Sequence, residues 1–191
     1  TETGNIEVVD ITSHPDRPAG IDHAIKLFAP EHLTLPANSM WNLSDNDFTI
    51  EFHMKLDSLF SADTGTDTAV GIIDAGSASN DKCWFVYGNE ENLSFLYKTP
   101  TTPHWEIVNI LNSNRCSGAA VVDKWYHIVV TRTQGKISSY VNGELVHRVS
   151  ETRTINYNGS NLLIGKRNSS SGNSFQGLLT DIRILNGMSV Y

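Results

Sequence analysis

Between residues 48 and 56 the chain alternates without a break: Phe48, Ile50, Phe52, Met54 and Leu56 are apolar, while Thr49, Glu51, His53 and Lys55 are polar. Successive side chains of an extended chain point to opposite faces, so this period of two predicts a strand with one face buried and the other in water. Asp45-Asn46-Asp47 supplies the turn ahead of it. Runs of similar length recur over residues 68–74, 83–87, 93–97, 105–111, 125–132, 137–141, 145–149, 161–165 and 176–185, with turn-forming residues between them. Short strands at that spacing predict an all-β protein, a two-sheet antiparallel β-sandwich. No ten-residue stretch carries a helical stripe, and a single helical turn is expected over residues 40–43.

Two hairpins stand out. Val141-Asn142-Gly143-Glu144 contains the Asn-Gly pair that accepts the positive φ angles of a type I′ turn, so it is expected to join residues 137–141 to 145–149. A second turn over residues 88–92 joins the runs on either side. Residues 168–174, rich in Ser, Asn and Gly, read as a loop. The first twenty residues hold His14-Pro15 and Arg17-Pro18, which break strand pairing, so residues 1–20 are read as an arm or linker ahead of a domain over 21–191.

Composition narrows the function. The chain has 191 residues, a length that one β-sandwich can fill, and 39% of them are apolar. Its net charge of -7 and the lack of any Lys/Arg cluster argue against nucleic acid as a partner. The longest apolar runs, such as Ala119-Ala120-Val121-Val122, fall far short of a membrane span, so membrane insertion is not expected. Thr1-Glu2-Thr3-Gly4-Asn5 has neither an initiator Met nor an apolar signal core, and reads as the start of a mature form or of an excised piece. The two cysteines, Cys83 and Cys116, leave two states open: free thiols, or one cross-link.

The order of the runs resembles the laminin G-like branch of the concanavalin A-like jelly rolls. Leu33-Thr34-Leu35-Pro36 followed by Asp47-Phe48-Thr49-Ile50-Glu51-Phe52 is similar to the family's opening strands. Trp125-Tyr126-His127-Ile128-Val129-Val130-Thr131-Arg132 resembles its core strand, and Tyr140-Val141-Asn142-Gly143 its following hairpin. Leu163-Ile164-Gly165 and then Phe175-Gln176-Gly177-Leu178-Leu179-Thr180-Asp181-Ile182-Arg183-Ile184 resemble its closing strands. The resemblance implies a non-catalytic recognition domain for a glycan or cell-surface receptor. It further implies an extracellular, cell-surface or virion-surface setting, as on viral and phage fibres and bacterial surface proteins, with an oligomer within a larger assembly compatible with it. A structural protein-adhesion module without a sugar site is the alternative, and a glycoside hydrolase or lyase the third reading.

Candidate chemistry is sparse. A glycosidase needs two carboxylates about 5–10 Å apart across one sugar, and no strand carries such a pair on one face. Glu51 shares its face with Thr49, His53 and Lys55, and Asp181 shares its face with Arg183. No Gly-x-Ser-x-Gly elbow occurs, and the seven histidines are scattered. Sugar recognition uses an exposed aromatic plane with polar groups beside it. Trp105, preceded by His104, is the first candidate for that plane, with Tyr97 and Trp84 behind it. The resemblance implies a calcium ion at a sandwich rim. Asp63 and Asp67, in a loop bent by Gly65, are the candidate ligands, and Asp74 and Asp81 border the next loop.

Overall fold

The computed structural model describes residues 2–3, 6–61, 69–76, 83–101, 104–168 and 173–191. In chain order its strands are β1 (Glu2–Thr3), β2 (Glu7–Asp10), β3 (His23–Leu27), β4 (His32–Leu35), β5 (Phe48–Leu56), β6 (Val70–Asp74), β7 (Trp84–Asn89), β8 (Asn92–Tyr97), β9 (Glu106–Leu111), β10 (Trp125–Thr133), β11 (Lys136–Val141), β12 (Glu144–Ser150), β13 (Leu162–Ile164), β14 (Asn173–Ser174) and β15 (Gly177–Asn186). The expected helical turn is a short 3₁₀ turn over Ser39–Trp41, capped by the Asn38 side chain accepting from the Met40 N–H.

Among the described residues the strands form two sheets. One has eight strands, in the order β1-β4-β13-β6-β7-β8-β9 with β14 beside β6; the other has seven, in the order β12-β11-β10-β5-β15-β3-β2. Pairing is antiparallel except for β14 on β6. The even-numbered residues of β5 all face the space between the layers and are buried. They meet Trp84, Val86, Phe95 and Val108 from the opposite sheet, with the Phe48 and Phe95 rings 6.0 Å apart. Each such side chain taken fully out of water contributes roughly 1.5–3 kcal/mol, so this interlocked face is the main source of stability.

Both predicted hairpins form. Val141 pairs with Glu144 across Asn142 (φ 52°) and Gly143 (φ 85°), a type I′ turn. Asn89 pairs with Asn92, so the other turn is also two residues long. β3 went unseen in the sequence because it buries both faces, which erases the alternation. Leu27 joins the main core, while Ala24 packs outward with Ile11, Trp125 and Leu178. Within residues 1–20, β1 pairs with β4, β2 pairs with β3, and Ile11 is fully buried.

One expectation for β5 is corrected. Its odd-numbered face is not in water: Thr49 is 0% and Glu51 4% exposed. The cause is tertiary, because residues 188–191 fold back over the face. The Val190 N–H donates to Thr49 Oγ1 at 3.2 Å, and the Ser189 hydroxyl lies between those of Thr131 (2.7 Å) and Thr133 (2.6 Å).

Candidate functional site

Two side-chain constellations lie on the outer faces of the sandwich, one on each sheet. On the eight-stranded sheet, register aligns Phe85 of β7, Leu96 of β8 and Ile107 of β9 in one outward row. Phe85 and Leu96 join Cys83 in a buried cluster, with Tyr87 and Trp105 packed against it. Trp105, just ahead of β9, stands edge-on to Phe85 with centroids 4.9 Å apart, and the Lys98 ammonium lies 4.7 Å from the indole centroid. Trp105 is half-buried, while the adjacent His104 is exposed and Ile107 is 48% exposed. The result is an aromatic ledge at the edge strand of the sheet.

The other two aromatic candidates are corrected by strand parity. Trp84 and Tyr97 occupy the inward positions of β7 and β8 and are 0% and 2% exposed, so neither ring offers a face to a ligand. The Trp84 indole N–H donates to the Trp41 carbonyl at 2.8 Å. The Tyr97 hydroxyl donates to Glu151 Oε2 at 3.0 Å; burial, and then the neighbouring Glu151 charge, push its pKa far up, so it stays protonated. Glu151 in turn binds the Arg153 guanidinium, which also reaches Glu106 at 2.9 Å.

The second constellation escaped the sequence reading. Register sets His53 of β5 opposite His127 of β10, and Arg183 of β15 opposite Glu51 of β5. The two imidazoles stack with centroids 4.5 Å apart. Glu51 Oε1 lies 2.7 Å from His127 Nε2 and accepts from the Tyr191 hydroxyl at 2.7 Å, while Oε2 faces the Arg183 guanidinium at 3.5 Å. Asp181 binds the same guanidinium at 3.2 Å. Burial by itself would raise the Glu51 carboxyl, but hydrogen bonds from Tyr191 and His127 and the Arg183 charge hold it below the usual carboxylate range. Burial and the His127 charge push His53 down, and burial with the Glu51 contact pushes the Tyr191 hydroxyl up to about 12.

Chemically this cluster is an ionised anchor. The structure brings Glu51 and Asp181 together across two strands, but one guanidinium bridges both, and Glu51 has no proton to give at neutral pH. Among the described residues, no three His, Cys, Asp or Glu side chains are arranged to hold a metal. Asp63, Asp67 and Asp81 lie outside the described residues. Asp74 is engaged by its own backbone surroundings, its two oxygens accepting from the Gly76 and Asn168 amides at 2.8 and 2.9 Å. Neither cysteine forms a disulfide; Cys83 is buried and Cys116 exposed. No helix among the described residues is long and apolar enough to cross a membrane.

Residues 30–188 match the sequence profile of a laminin G-type family described as the concanavalin A-like lectin/glucanases superfamily. Solved structures with a similar fold include domain 4 of AbnA, a GH43 extracellular arabinanase from Geobacillus stearothermophilus, in complex with arabinotriose. That match has 17% identity and a TM-score of 0.63, covering 97% of this chain and 77% of that one. The botulinum neurotoxin serotype G binding domain is similar at 14% identity and TM-score 0.65, covering 99% and 44%. Domains LG4-5 of the mouse laminin alpha1 chain are similar at 18% identity and TM-score 0.58, covering 80% and 37%. The chain thus spans well under half of the laminin and toxin chains. No curated protein sequence matches it.

Proposed function

This chain belongs to the concanavalin A-like lectin/glucanases superfamily, and we propose that it is a non-catalytic recognition domain, binding a glycan or a cell-surface receptor on behalf of a larger extracellular or virion-borne protein. The Trp105 ledge carries this reading. A partly exposed indole held edge-on by Phe85, beside exposed His104 and Ile107 at a sheet edge, matches the apolar-plane-plus-polar-rim chemistry of sugar and receptor contacts. The Glu51 cluster argues against a general-acid role for that residue, because a general acid must keep its proton near working pH and Glu51 is held below the usual carboxylate range. Similarity to laminin domains, a toxin binding domain and an arabinanase domain bound to arabinotriose supports the same class.

The test is a glycan array followed by titration of the best hit. Binding to one sugar class, weakened at least tenfold in Trp105→Ala and partly kept in Trp105→Phe, is the expected result; a tenfold change is about 1.4 kcal/mol. A blank array moves the reading to protein adhesion. Sugar binding that ignores Trp105→Ala, with the fold intact by circular dichroism, removes the ledge from the site.

A further inference from the structure

A cleft of about 820 Å³ opens on one flank of the sandwich, between the two sheets. Its origin lies in β15. That strand pairs with β3 only at Gly177, Leu178 and Leu179, and then a bulge at Asp181 (φ 49°) ends the pairing, while β5 stays paired with β15 as far as Asn186. Beyond Leu179, no described strand lies against that edge of β15, yet β4 and β13 continue on the facing sheet. The layers are therefore left one strand segment apart. Ile25, Leu33, Leu35, Ile182 and Ile184, which a complete sandwich would bury, are only half-buried along its walls.

The lining defines what fits. Leu162, Ile164 and Leu179 are its most buried apolar lining, and Trp41 also lines it. The Trp41 indole N–H is already spent on the Pro36 carbonyl at 3.0 Å, so the ring offers the cleft its apolar body. Among the described lining residues, polar side chains are confined to His23, Thr34, Thr180 and Asp181. The Thr180 hydroxyl donates to the His23 carbonyl, and the Asp181 carboxylate is ion-paired with Arg183 on the outer side. Among the described residues no Lys or Arg lines the cleft, so none of them neutralises an anionic head group there, and the one carboxylate is already engaged. The volume falls within the range of about 300–1,000 Å³ typical of small-molecule sites with mostly apolar walls and a few polar groups.

We infer that this cleft is a binding site for an uncharged lipophile, a molecule with a hydrocarbon body seated between the sheets and at most a hydroxyl or carbonyl directed to His23. The site is separate from the Trp105 ledge and stands or falls without it.

The test uses Nile red, a neutral lipophilic dye, titrated into the whole chain, with competition by decanol and by decanoate. Saturable one-site binding is expected, with blue-shifted dye emission and quenched Trp41 fluorescence. Decanol should displace the dye, and decanoate should do so at least tenfold less well. Leu35→Trp fills the cleft and Ile182→Asn makes its wall polar; each should weaken binding at least tenfold, and should Leu35→Trp fail to fold, Ile182→Asn decides. Trp105→Ala should leave dye binding unchanged. The inference is overturned by unsaturable binding, by equal displacement with decanoate, by binding that survives Ile182→Asn, or by loss of binding in Trp105→Ala.

Discussion

The Tyr191 hydroxyl meets Glu51 across 140 positions of chain and isolates a single tertiary contact for measurement. Tyr191→Phe keeps the ring beside Tyr140, 5.8 Å away, and removes only the donor. Urea unfolding should show a loss of about 1 kcal/mol, the usual net worth of one hydrogen bond, because solvent at the exposed Tyr191 offsets the larger value of a bond to a charged group. Glu51 and Glu151 also set the acid response. Both are held below their ordinary pKa by donors and guanidinium groups that the unfolded chain lacks. A carboxyl whose folded pKa is depressed stabilises fully above its unfolded value, about 4.3, and loses that stabilisation as pH falls through the folded one, because the unfolded state takes up protons first. The urea midpoint should therefore begin to fall below about pH 6.5, where the unfolded chain protonates the imidazole that the fold holds neutral at His53, and fall further below about 4.3 as the carboxyls follow. The double variant Glu51→Gln/Glu151→Gln should start lower and respond less to acid. A wild-type midpoint unchanged down to pH 3 would contradict the ion pairs described.

Two glycines show how differently the same residue serves separate elements. Gly143 occupies the β11–β12 turn with φ 85°, and a Cβ there would meet nothing within 4 Å. Gly143→Ala should cost only the left-handed backbone penalty, about 1–2 kcal/mol, with the strand register unchanged. Gly177 opens β15 at φ 148°, where a Cβ would lie 2.1 Å from the Lys55 carbonyl oxygen of β5. Gly177→Ala forces the two central strands of the sheet apart and should cost about 3 kcal/mol or more. Thermal and urea unfolding of the pair check the ranking, and equal effects would contradict the close approach of β15 to β5. The first glycine was legible in the sequence because Asn-Gly is a local signal. The second was not, since its reason is a backbone oxygen more than a hundred positions away.

Across the whole molecule, β5 lies between β10 and β15, so the centre of the seven-stranded sheet is completed only by the last strand of the fold. A chain ending at residue 175 would leave β5 with one open edge and uncover Ile50 and Met54 next to Ile184 and Leu179, their register partners. Such a truncation should lose cooperative unfolding altogether, as read by calorimetry, because these pairings join segments far apart in sequence. A sharp transition in the truncated chain would show that the remaining strands fold on their own.

The fold class and most strand positions could be read from the chain because strands such as β5 set apolar side chains on one face and polar ones on the other, a period of two that any window along β5 shows whether or not the polar face is covered. Turn chemistry at Asn142 and Gly143 is equally local. Parity was harder: Trp84 and Tyr97 looked like surface aromatics until β7 and β8 were seen to turn them inward, and only neighbours in the sheet fix which face is inside. The Glu51 cluster, the tail over β5 and the cleft beside β15 depend on segments brought together from distant parts of the chain. Local pattern sets which residues can form a strand, but which strand lies next to it, where a ladder stops and which charged groups meet are decided only when the two layers close on one another.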